Sequence, residues 1–93
     1  MDEAAATAIF EHFLSEKEKS IHQPLAIVAT ATHSIPRGWA FVYQSRSYVE
    51  TGNFSDMLVG QGPVIVLDDG RILEGGSLHL RPEDVLSHFG ETG

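Results

Sequence analysis

Pro63-Val64-Ile65-Val66-Leu67-Asp68-Asp69-Gly70-Arg71-Ile72-Leu73-Glu74 decides the fold class. Five residues without a charge, three of them β-branched and one a leucine, run towards Asp69-Gly70, a dipeptide suited to the positive φ of a hairpin turn. Ile72-Leu73-Glu74 then starts the return strand. Upstream, 39–44 alternates, with Trp39, Phe41 and Tyr43 on one face and Ala40, Val42 and Gln44 on the other, as a half-buried strand does. Residues 25–33 are small and β-branched and read as one further strand, ended by the turn residues Ser34-Ile35-Pro36-Arg37-Gly38. Between these strands, 45–62 has the weakest periodicity. Tyr48-Val49 could prolong the preceding strand, and 54–58 could form a short helical turn.

Helices flank the strands. From Asp2, a capping residue, to about Lys19 the chain carries an apolar stripe of Ala6, Ile9, Phe10, Phe13 and Leu14, with Glu16, Lys17, Glu18 and Lys19 facing water. Gln23-Pro24 stops it. Pro82 suits a first helical turn, Glu83 and Asp84 suit its dipole, Val85, Leu86 and Phe89 recur at helical spacing, and Gly90 ends the segment. The reading is a single α+β domain over 1–93: a helix at 1–20, a four-stranded antiparallel sheet within 25–76, a helix at 82–90, and both helices on one face.

Composition narrows the function. Ninety-three residues with thirteen acids, six Lys and Arg and a formal charge of −7 disfavour nucleic acid, whose phosphates call for clustered cations. A basic partner fits better. No cysteine is present, which removes disulfides, thiolate metal sites and thiol nucleophiles. Met1-Asp2-Glu3-Ala4 lacks the basic start of a secretory signal, and no apolar run reaches the ~20 residues of a membrane span, so a cytoplasmic protein without a membrane partner is expected. The charge is uneven: 1–20 sums to −3, 21–49 to +2 and 50–93 to −6.

Chemistry-bearing motifs are incomplete. His12, His22, His33, His79 and His88 have no helical or strand spacing that would pair them on a metal. Gly75-Gly76-Ser77-Leu78-His79 has a histidine where a nucleophile elbow needs its last glycine, and Ser77 with His79 lacks an orienting acid and an oxyanion hole. Gly60-Gln61-Gly62 precedes a strand and has Ile65 in place of the third glycine of a dinucleotide loop. Asp68-Asp69-Gly70 is too short for a calcium loop. No catalytic residue, metal or cofactor is expected.

Gly38-Trp39-Ala40-Phe41-Val42-Tyr43, Tyr48-Val49-Glu50-Thr51-Gly52-Asn53, Gly60-Gln61-Gly62-Pro63-Val64-Ile65-Val66 and Asp69-Gly70, in that order over 38–89, resemble the YrhB-like, or immunity protein 35, domain. The resemblance implies a small α+β protein encoded beside a polymorphic toxin, protecting its bacterial producer by binding that toxin, a nuclease or a peptidase. It carries no catalytic or metal-ligating residue to this chain. Combined with the −6 block, it makes Glu50, Asp56, Asp68, Asp69 and Glu74 part of the expected toxin contact. A housekeeping, chaperone-like or ligand-binding module is the alternative, since one member of the family resembles a heat-stable protein of that kind.

Overall fold

The computed structural model describes residues 1–76, 78–79 and 81–90. Helix α1 (Glu3–Ile21) opens on the Asp2 cap, whose side chain accepts from the Ala5 N–H at 2.8 Å, and closes at His22 in the left-handed region. Strands β1 (Leu25–Ile27), β2 (His33–Ile35), β3 (Gly38–Phe41) and β4 (Tyr43–Ser45) follow, then helix α2 (Arg46–Thr51), strands β5 (Gln61–Leu67) and β6 (Ile72–Gly76), and helix α3 (Pro82–His88). Every strand pairing is antiparallel, in a four-stranded sheet ordered β2-β3-β5-β6 and a two-stranded sheet β1-β4. The architecture is α+β, with a helix at each end of the strand region.

The helices do not share a face, contrary to the sequence reading. Val64 and Val66 of β5 pack with Ala6, Phe10 and Leu14 of α1, whereas Ile65 and Leu67 pack with Val85 of α3. Side chains alternate along a strand, so α1 and α3 cover opposite faces of the sheet. The physical reason lies in β5 itself. Four consecutive apolar residues cannot be half-solvated; such a strand is wet on neither face and needs cover on both. On the α1 side the core is aromatic, with Phe10 stacked on Phe41 at 4.5 Å between ring centroids and Tyr43 tilted against it at 6.3 Å.

The single strand expected at 25–33 is also two. Ile27 pairs with Tyr43 and His33 with Ala40, so five residues (28–32) face only two (Phe41 and Val42). The excess folds out as a 3₁₀ turn, Ala29–Ala31, and splits one long hairpin into the β1-β4 and β2-β3 pairs. Trp39, Phe41 and Tyr43 still reach the same core, and Ala40 the other, as the alternation requires.

Two close features hold the sheet together. Gly38 lies so near β5 that a Cβ there would stand 2.1 Å from the Val66 carbonyl oxygen. Gly70, at φ 90°, closes the β5–β6 loop, its N–H donating to the Leu67 carbonyl at 2.8 Å. Lys17 and Glu18, expected in water, instead turn towards the sheet region. Lys17 Nζ lies 2.6 Å from Glu74 Oε2, and Glu18 Oε2 accepts from the Leu25 N–H at 2.7 Å and pairs with Arg46 at 3.4 Å.

Candidate functional site

Tyr48 and Val49 do not prolong β4, because Ser45 turns the chain into α2. Its side chain is completely buried. The hydroxyl oxygen accepts from the Tyr48 N–H at 3.0 Å as the helix cap and donates to the Asp56 carbonyl at 2.5 Å. Gly52, at φ 71°, ends the helix. Asn53 then accepts from the Ser55 N–H and starts the 3₁₀ turn Phe54–Asp56, the turn expected for that stretch. Gln44 completes the attachment: its side-chain amide accepts from the Leu58 N–H at 2.9 Å and donates to the Leu58 carbonyl at 3.0 Å, much as a neighbouring strand would.

The residues of 46–59 therefore hang on polar anchors more than on the core. Neither α2 nor the 3₁₀ turn contributes a buried residue; Leu58 alone packs against the α1-side core, half-buried. Phe54 is 77% exposed and Val59 81%, with Val49 and Met57 also exposed. Beside Val59, an open groove of about 440 Å³ runs between α1 and β6, lined by Lys17, Ile21, Tyr43, Gln61 and Glu74 among others.

Four of the five acids expected to act together fall at two ends of the sheet. Asp68 and Asp69 form the tip of the β5–β6 loop. Glu50, on α2, and Asp56 lie with the 3₁₀ segment that leads into the start of β5, a seven-residue strand and so roughly 20 Å away. Glu74 stands on β6 between the two ends. Their electrostatic states also differ. Hydrogen bonds from the Arg71 backbone N–H and guanidinium hold the Asp69 carboxyl below its ordinary range. Glu74 is matched by Lys17, and Asp68 lies 3.6 Å from the Met1 amino group. Glu50 and Asp56 carry no ion pair among the described residues.

These arrangements disfavour nucleophilic chemistry at the groups described. The hydrogen bond to Glu74 raises the Lys17 pKa, which keeps its amine protonated. Burial raises that of the Tyr43 phenol. The Ser45 hydroxyl is buried and committed to two backbone partners. Ser77 lies outside the described residues; His79 Nδ1 accepts from the Gly76 N–H at 2.9 Å, and its ring sits 4.8 Å from that of His88. Among the described residues no three His, Asp or Glu side chains gather as a metal site, and no helix is long and apolar enough to cross a membrane.

Sequence reasoning overlooked Gln44 and Ser45. The signal for Ser45 was available, since a serine cap and a glycine seven residues later bracket a one-and-a-half-turn helix. Gln44 had none, because its partner is a loop backbone.

No match was found among curated proteins or among solved structures. The family model described as immunity protein 35 matches residues 3–85, from the first residue of α1 to the core valine of α3. By that match over most of its length, the chain belongs to the immunity protein 35 family.

Proposed function

We propose that this protein is the immunity partner of a bacterial toxin, which it binds and neutralises by covering part of the toxin's surface, without catalysis of its own. Membership of the immunity protein 35 family carries the reading. Size and charge are compatible with it. The chain exposes 5,483 Å², and an ordinary stable interface takes ~800 Å² of each partner, about 15% of that surface. A net charge of −7 would steer a basic toxin into fast encounter. The five acids Glu50, Asp56, Asp68, Asp69 and Glu74 are proposed to contribute to that field, four from the two ends of the sheet and Glu74 from β6 between them.

The test pairs this chain with a toxin encoded beside it. Co-expression should restore growth of cells making the toxin, and the two proteins should purify as a complex. Neutralising the five acids to Asn and Gln should slow association and flatten its dependence on salt; identical association kinetics would remove the electrostatic part. Failure of the intact chain to bind or protect would remove the whole reading.

A further inference from the structure

Eight large apolar side chains are exposed among the described residues, and four of them, Val49, Phe54, Met57 and Val59, fall within the eleven residues 49–59. A fifth, Ile21, lines the groove beside Val59. Water-facing aromatic and aliphatic groups at this density mark a contact surface. The backbone carrying them is not loose. Gln44 holds Leu58 by two hydrogen bonds, Ser45 holds both Tyr48 and Asp56, and Asn53 closes the turn between them. Phe54 also leans on Tyr48, with 6.1 Å between ring centroids. A surface fixed in this way loses little conformational freedom on binding.

Charge identifies the kind of occupant. Glu50 adjoins Val49 and Asp56 adjoins Met57, and these are the two acids of the five with no ion pair among the described residues. Asp69 and Glu74 would have to give up Arg71 and Lys17 before meeting another cation. The partner surface complementary to 49–59 is thus an apolar recess with Lys or Arg at its rim.

We propose that residues 49–59 form the centre of the toxin-binding surface, with Phe54 and Val59 entering an apolar recess of the toxin and Glu50 and Asp56 meeting a basic rim around it. This rests on the toxin-binding reading above. The groove along Ile21 and Lys17 continues the same surface.

The experiment measures binding of this chain to a catalytically inactive variant of its neighbouring toxin by surface plasmon resonance. Phe54→Ser with Val59→Ser should weaken the complex about 30-fold or more, chiefly through faster dissociation, as loss of central apolar anchors does. Its thermal unfolding should stay near that of the unaltered protein, since both side chains already face water. Glu50→Gln with Asp56→Asn should instead slow association at low salt, a difference that vanishes at high salt. Phe89→Ser, at an exposed aromatic that follows the last residue of α3, should bind as the unaltered chain does. If the double serine variant folds poorly, Glu50→Lys with Asp56→Lys tests the same surface by opposing the basic rim. Tight binding by the unaltered chain that survives both sets of substitutions would overturn this surface and leave the toxin-binding reading intact. No binding by the unaltered chain would overturn both. A self-associated form that the serine substitutions dissolve would assign the patch to a second copy, also overturning the proposal.

Discussion

Ser45→Ala removes one oxygen and no hydrocarbon, so its cost comes almost wholly from hydrogen bonds. The hydroxyl caps α2 through the Tyr48 N–H and donates to the Asp56 carbonyl, inside a site with no access to solvent. Loss of a serine cap costs about 1 kcal/mol. Loss of the second bond adds about 1 kcal/mol, because water cannot replace the donor there. The sum, about 2 kcal/mol, is a large share of the 5–15 kcal/mol that holds a domain of this size together. It corresponds to a melting temperature lower by roughly 8–16 °C. Urea unfolding followed by Trp39 fluorescence measures it, since Trp39 packs against the α1-side core and reports its loss. The midpoint should fall while the slope stays constant. Ser47→Ala, on the exposed side of the same helix, should change stability by less than about 0.5 kcal/mol. Hydrogen exchange should show the Tyr48 amide losing protection. A Ser45→Ala protein within about 0.5 kcal/mol of the unaltered one would refute the idea that this hydroxyl anchors 46–59.

Two further outcomes follow from the sheet. Gly38→Ala places a methyl group 2.1 Å from the Val66 carbonyl and 2.9 Å from the Leu67 Cα, both backbone atoms of the central strand; parting β3 from β5 should cost about 3 kcal/mol or more in urea unfolding, and a loss below about 1 kcal/mol would contradict the geometry. At Asp69 the folded pKa lies below the unfolded one, so its contribution is present above the unfolded value, near 3.8, and fades as pH falls through the folded value. Stability of the unaltered protein should exceed that of Asp69→Asn at pH 7, with the gap closing below about pH 4; a gap that persists in acid would exclude the carboxylate as its source.

The fold was legible where signals are local. The Asp2 cap, the stripe from Ala6 to Leu14 and the Asp69-Gly70 turn each act within a few residues, and each stands as read. What failed depended on partners. That α3 lies opposite α1 follows from Val64 to Leu67 being apolar on both faces, a pattern present in the sequence, although which helix covers which face depends on the folded chain. The break of the first hairpin at Ala29–Ala31 comes from a mismatch between two arms, which exists only once they are paired. For the candidate site the obstacle was similar. A block of sequence with charge −6 is not a patch: β5 carries its acids to two ends, Lys17 meets Glu74 from 57 residues away, and Arg71 takes up Asp69. The exposure of Phe54 and Val59 was beyond reach, because the alphabet of residues does not say which apolar ones find cover.

The division of labour between core and anchor has a consequence for binding. Both cores are built from α1, α3 and the strands, while 46–59 adds only Leu58. Arg46 ties the start of the segment to Glu18, and 47–59 is held chiefly through Gln44, Ser45 and Asn53, whose bonds run to backbone atoms apart from the one that Asn53 accepts from the Ser55 hydroxyl. A backbone atom is supplied by every residue type. The side chains of Val49, Glu50, Phe54, Met57 and Val59 can therefore be exchanged without disturbing the bonds that position them or the cores that support the sheet. Surface substitutions of this kind lie within about 0.5 kcal/mol of neutral for stability, whereas each central anchor of an interface is worth about 2 kcal/mol or more of affinity. As the proposed toxin-binding surface, the segment could on these magnitudes change the partner it recognises while the fold that presents it stays the same.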